Sequence, residues 1–264
     1  MLKERKYQYD LAILKDYAGV KSRITLLKSC LTSGLELEEN ECTRKGTVNT
    51  EKLENNIIRA RTKLYEYAIC NKWGYFCTFT LDPKKYDRND LEKFNKDLSQ
   101  FIRNFNKKHG TSIKYLLIPE VHKKGGWHLH GLLLGLSESF LRAFTLQEHI
   151  PTYIRNKIKA GGVVFDWEDY RSKFGFCDIE EIRNSDACAK YCTKYITKEL
   201  SLSITKLNAH LYYCSKGLQI ATVEKKGTML VDIVPDYENE YVKVQWFETS
   251  EISLDKLKSY ISSK

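Results

Sequence analysis

Apolar residues recur at helical spacing over residues 52–70. Leu53, Ile57, Leu64 and Ala68 make one stripe there, and Arg59, Arg61 and Lys63 lie off it. Asn71-Lys72-Trp73-Gly74 ends that helix. The period then changes to two: Tyr75-Phe76-Cys77-Thr78-Phe79-Thr80-Leu81 alternates, is β-prone, and stops at Asp82-Pro83. Asp90 caps a second helix, whose seam of Leu91, Phe94, Leu98, Phe101 and Phe105 runs to His109-Gly110. Residues 115–121 and 127–134 read as two strands joined through His122-Lys123-Lys124-Gly125-Gly126. Residues 137–149 predict a helix stopped by Pro151. Residues 152–175 are mixed, and Val163-Val164-Phe165 follows Gly161-Gly162. Residues 175–182 predict a strand, and Asn184-Ser185-Asp186 an N-cap and acidic first turn for a helix reaching about Leu200. At the ends the pattern is weaker. Residues 1–50, polar and Lys-rich with scattered leucines, predict short helices. Residues 228–234 and 240–247 alternate around Pro235-Asp236 as a hairpin. The economical division is a helical extension over 1–54, an α+β domain over 55–220, and a β-hairpin/helix addition over 221–264 packed on that same domain.

One strand carries chemistry. In Trp127-His128-Leu129-His130-Gly131-Leu132-Leu133-Leu134 a strand turns every second side chain to one face, so His128 and His130 point the same way. That spacing lets two imidazoles share a metal ion. If Val121 pairs with Trp127, Glu120 lies opposite His128 and its carboxylate joins them. A tighter turn on Lys124-Gly125 pairs Glu120 with Leu129 instead and sends the carboxylate to the other face.

The totals narrow the setting. The chain has 264 residues, 42% of them hydrophobic, enough for a real core. No stretch approaches the ~18 apolar residues of a membrane span. The first residues, Met1-Leu2-Lys3-Glu4-Arg5-Lys6, lack the apolar segment of a signal peptide, so a cytoplasmic location is expected. The 8 cysteines include no Cys-x-x-Cys and read as small buried residues of a reducing compartment. A formal charge of +9 favours a polyanionic partner.

The predicted helix after residue 184 supplies the second group of candidates. At about 100° per residue, Tyr191, Lys194, Tyr195 and Lys198 fall on one face, and Ala189, Cys192 and Ile196 on another. A phenol with a pKa of ~10 is a poor nucleophile at neutral pH. A neighbouring ammonium favours the phenolate or steadies charge on a phosphate. A divalent ion held by Glu120, His128 and His130 would polarise and orient a phosphodiester for attack by such a phenolate. Transesterification retains the bond energy, so no ATP site is required, and no Gly-x-x-x-x-Gly-Lys-Ser/Thr occurs.

Three motifs in order resemble the HUH endonuclease superfamily, and within it the rolling-circle replication initiators of phages and plasmids, the replication-associated type that includes filamentous-phage gene II protein. Residues 76–83 resemble its first strand motif, residues 127–133 its His-hydrophobic-His metal motif, and Tyr191-Cys192-Thr193-Lys194-Tyr195 its nucleophile motif. The similarity covers about residues 55–220. It implies an RRM-like palm, an antiparallel sheet of about five strands flanked by helices. It also implies a Mg²⁺ or Mn²⁺ cofactor, with Glu120 where many members supply a third ligand. The implied activity is strand-specific nicking and rejoining of single-stranded or hairpin origin DNA through a 5′-phosphotyrosine. The free 3′-hydroxyl then primes synthesis, with a host helicase and polymerase as partners in a bacterial cell. Tyr191 best fits the Tyr-Cys-x-Lys form. Tyr195 is either a second nucleophile or a packed neighbour, and Lys194 or Lys198 contacts phosphate. Lys123, Lys124 and Trp127 are weaker DNA-contact candidates, and His122 is a lesser ligand candidate in the turn. A related transposase or relaxase, or a binding module without cleavage, are the alternatives. A histidine-triad hydrolase is disfavoured because Leu132 stands where that family needs a third histidine.

Overall fold

The computed structural model describes residues 7–30, 50–121, 125–194 and 210–262. In chain order, β1 (Tyr7–Tyr17) and β2 (Lys21–Cys30) precede α1 (Thr50–Cys70), β3 (Tyr75–Thr80) and α2 (Leu91–His109). The hairpin β4 (Lys114–Val121) and β5 (Trp127–Leu134) leads through a 3-10 turn at Glu138–Phe140 to β6 (Arg142–Ala143), α3 (Thr152–Lys159) and β7 (Phe165–Asp166). Next come α4 (Glu168–Lys173), β8 (Cys177–Glu181), α5 (Ser185–Lys194) and β9 (Tyr213–Cys214). The last elements are β10 (Thr222–Gly227), β11 (Tyr237–Glu238), β12 (Val242–Glu248) and α6 (Leu254–Ser259). The architecture is α+β, with two antiparallel sheets, each in its own compact unit.

The unit Val48–Leu218 is built on the sheet β6-β7-β8-β3-β5-β4-β9. Four of these strands are substantial, and β6, β7 and β9 have two residues each. Alternation in β3 sorts the two faces: Tyr75, Cys77 and Phe79 are buried, whereas Phe76, Thr78 and Thr80 are half-buried. The buried side packs on α2 and α4. Phe79 stacks on Tyr170 at 4.4 Å between ring centroids, and Phe101 lies 5.2 Å from Trp167 and 5.5 Å from Phe174. Helix α2 forms for local reasons. Its apolar residues recur every three or four positions, the Asp90 carboxylate accepts the Lys93 N–H at 3.0 Å, and Gly110 closes the end with φ +65°. On the other face, α1 buries Ile57, Leu64 and Ala68, and Tyr65 Oη donates to Asp186 of α5 at 3.2 Å.

The helix expected over 137–149 is replaced by the short turn and β6. Ser137 caps the turn through the Ser139 N–H, and the Arg142 guanidinium then reaches Glu148, Asp166 and Glu168. A side chain held by three carboxylates, on backbone paired with β7, fixes an extended segment where propensity alone allows helix.

The second unit joins Met1–Thr47 with Gln219–Lys264 around the sheet β10-β1-β2-β12-β11. Two expectations are corrected here. Residues 7–30 form strands and not short helices: Ala12 and Leu14 of β1, with Ile24 and Leu26 of β2, alternate inward onto Leu257 and Ile261. Residues 221–264 form one unit with this hairpin, so they are not an addition to the central domain. The terminal hairpin is also placed differently. β11 and β12 turn at Asn239, whose Oδ1 accepts the N–H groups of Tyr241 and Val242 at 2.9 and 2.8 Å. Residues 228–234 form no strand of that hairpin; they run beside the end of the chain through the bridge between Met229 and Ile261 and the Leu230 N–H bond to the Tyr260 carbonyl at 2.8 Å.

Candidate active site

Register brings the polar residues of four strands to one face. Glu120 of β4 is opposite His128 of β5, which is opposite Thr80 of β3. The neighbouring row runs from His130 to Thr78 and on to Asp178 of β8. Val121 pairs with Trp127, the arrangement that turns the Glu120 carboxylate toward the imidazoles. Gly131 permits this close seam: a Cβ there would lie 2.0 Å from the Leu116 carbonyl oxygen.

The hydroxyls beneath the histidines orient them. Thr80 Oγ1 is 2.9 Å from Nδ1 of His128, and Thr78 Oγ1 is 3.2 Å from Nδ1 of His130. Both contacts use Nδ1, which turns each Nε2 to the open side, and the rings lie nearly parallel with centroids 6.2 Å apart. Nε2 of His130 meets Glu120 Oε2 at 2.7 Å. Behind Thr78, Asp178 is buried and accepts the Tyr153 hydroxyl at 2.8 Å. Burial holds its carboxyl above the ordinary aspartate range despite that bond.

One carboxylate and two imidazoles, with hydroxyl partners fixing the rings, are donors chemically suited to a divalent cation. Among the described residues no three His, Cys, Asp or Glu side chains stand together as a group able to hold a metal ion. His128 Nε2 faces an Arg88 guanidinium nitrogen at 3.4 Å.

The Tyr-x-x-Lys helix faces this side of the sheet. Asn184 Oδ1 accepts the Ala187 N–H at 2.9 Å and starts α5, which buries Ala189 and Cys192 and leaves Tyr191 46% exposed. The Tyr191 ring stands edge-on to Phe76 at 5.6 Å, and Phe76 stacks on His130 at 6.5 Å. Lys194 Nζ is 6.0 Å from the Tyr191 ring centroid. Tyr195 and Lys198, with His122, Lys123 and Lys124, lie outside the described residues. Trp127 is half-buried, and its indole N–H donates to the Asn89 carbonyl at 3.2 Å.

Sequence reasoning did not single out Arg88, Thr78, Thr80 or Asp178. The threonines lay within the first motif, where alternation with Phe79 was the available signal for their shared face. Nothing local marks Arg88, which arrives from the loop after β3.

Residues 74–200 match the family model of the replication-associated proteins of the ORF2 and gene II protein type. The matched segment runs from just before β3 through α5 and contains Glu120, His128, His130 and Tyr191. It supports a role as a replication initiator, with DNA as partner. No curated protein and no solved structure matches the chain.

Proposed function

We propose that this chain, whose residues 74–200 match the replication-associated family model, is a metal-dependent HUH endonuclease that starts rolling-circle replication by nicking one strand of origin DNA. The observation that carries the reading is the continuous contact from Tyr191 through Phe76 to His130, within the matched segment. It sets a half-exposed phenol on the same side of the sheet as the imidazole pair.

In this reading Tyr191 Oη attacks the scissile phosphorus. An O–P bond forms to the tyrosine and the P–O3′ bond breaks. The phenolic proton passes to solvent, and the departing 3′ oxygen takes one up, leaving a 5′-phosphotyrosyl protein and a primer hydroxyl. Lys194 steadies charge on the transferring phosphate. Glu120, His128 and His130 would hold Mg²⁺ or Mn²⁺, with Thr78 and Thr80 fixing the two rings from behind. When bound, that ion supplies Lewis-acid polarisation and orientation of the phosphodiester. Tyr195 serves the second cleavage that closes the circle. A host helicase or supercoiling opens the duplex and a host polymerase extends the 3′ end, in the bacterial cytoplasm.

The test is to incubate the protein with Mn²⁺ and candidate single-stranded origin oligonucleotides and to map the attached peptide by mass spectrometry. A metal-dependent adduct on Tyr191, lost to background in Tyr191→Phe, is the expected result. Binding without any adduct, insensitive to chelator and to both tyrosine substitutions, identifies a non-catalytic DNA-binding module and overturns the proposal.

A further inference from the structure

Arg88 occupies a seat that the chain is shaped to provide. It lies in the loop between β3 and α2, and its carbonyl accepts the Trp127 N–H at 2.8 Å, fastening that loop to the start of β5. Gly126 leaves the room: a Cβ there would come 2.8 Å from Arg88 Nε and 2.9 Å from Arg88 Cβ. From this seat one terminal nitrogen reaches His128 Nε2 at 3.4 Å, while Nε is buried with no hydrogen-bond partner among the described residues. A guanidinium carries five donors in a planar fork, and one long contact to an imidazole with a stranded Nε–H uses it poorly.

Beside it opens a cleft of about 420 Å³ lined by Thr80, Asp82, Lys85, Arg88, Arg171 and Phe176, among others. Three cations face one acid there. Asp82 is turned to the backbone, where it accepts the Lys84 N–H at 2.9 Å. Arg171 spends Nε on Asp166 and lies over Phe176 at 4.9 Å, with one terminal nitrogen buried and without a hydrogen-bond partner among the described residues. Lys85 Nζ is held at the rim by the Ser172 carbonyl at 2.8 Å. A charge-assisted, bidentate pair with a phosphate oxygen would use the fork that His128 leaves largely idle.

We infer that Arg88 is a phosphate-binding residue for the DNA strand whose resting partner is His128 Nε2, so that strand binding in this cleft draws it away and opens His128 to the metal. The inference rests on the proposed nickase reading and deepens it. The same nitrogen cannot accept from Arg88 and ligate a cation. DNA and metal therefore bind with positive coupling, and by linkage each raises the affinity of the other by the same factor.

The test measures free Mn²⁺ by electron paramagnetic resonance. The full chain is titrated with and without a saturating short single-stranded oligonucleotide of mixed sequence. Tyr191→Phe and Tyr195→Phe are present throughout so that the strand is not consumed. Affinity for Mn²⁺ is expected to rise about tenfold with DNA. Adding Arg88→Met should give that higher affinity without DNA and less than about a twofold further rise. Equal Mn²⁺ affinity in all four conditions overturns the inference, and the parent pair alone decides this if Arg88→Met does not fold. In a second measurement, without metal, Arg88→Met should weaken binding of the same oligonucleotide and reduce the salt slope by about one. An unchanged slope also overturns the inference. The two levels separate cleanly: adduct formation by the unsubstituted chain with no coupling removes only the role of Arg88. Absence of Mn²⁺ binding in every condition, together with absence of adducts, removes the nickase reading as well.

Discussion

Gly131 sits between His130 and Leu132 where β4 comes closest. Its substitution by alanine places a methyl 2.0 Å from a backbone carbonyl, which no rotamer can relieve. Gly131→Ala is expected to destabilise the central unit by at least ~3 kcal/mol, seen as a lowered urea midpoint or as insoluble protein. The hydroxyl contacts make a softer prediction. Thr80→Val should leave the fold intact yet reduce Mn²⁺ affinity by roughly 10–100-fold, because His128 loses the partner that fixes its ring. At Glu148, the bond from Arg142, helped by the Thr145 N–H, draws the carboxyl from 4.5 down to about 2. A carboxyl depressed in the folded state stabilises above its unfolded value and loses that contribution as pH falls toward the folded one. The stability difference between the parent and Glu148→Gln should thus be level above about pH 4.5 and vanish near pH 2 in acid titrations followed by circular dichroism.

Among the elements, α2 was the most legible, because its amphipathic period, Asp90 cap and Gly110 stop are all local. Asp90→Ala should cost about 1 kcal/mol in thermal unfolding by leaving the Lys93 N–H without its cap. The β4–β5 hairpin was legible up to a choice of two registers, and the observed pairing of Val121 with Trp127 selects the one that joins Glu120 to the histidines. The edge between Phe76 and Tyr191 was not legible, since a helix face read from spacing says nothing about which strand it meets. Strands β1 and β2 were misread for a related reason. Their inward residues, Ala12, Leu14, Ile24 and Leu26, pack on Leu257 and Ile261, which lie at the far end of the chain. The segment 137–149 failed because the ion pairs of Arg142 with Glu148, Asp166 and Glu168 override helix propensity. Arg88 escaped because its role depends on a gap at Gly126 and on a partner 40 positions away.

For the molecule as a whole, an excess of 43 Lys and Arg over 34 Asp and Glu fits a DNA partner. Among the described residues no helix is long and apolar enough to cross a membrane. The residues of the candidate site that the structure describes belong to the unit Val48–Leu218, which carries its own core. A fragment of residues 48–218 is therefore expected to remain folded and to retain metal-dependent adduct formation, measured by gel shift and by its own cooperative melt. A fragment ending at Leu218 but keeping the N-terminus should aggregate instead. It exposes both outer edges of the β1–β2 ladder, which β10 and β12 otherwise cover.

That arrangement bears on how the chain is made. A ribosome releases β1 and β2 first and β10 and β12 last, with all of residues 48–218 emerging in between. The central unit has the opportunity to fold during translation, while the leading hairpin waits with open edges for its closing strands. The interval of greatest risk for this protein during synthesis is thus set by the time needed to translate its own central unit.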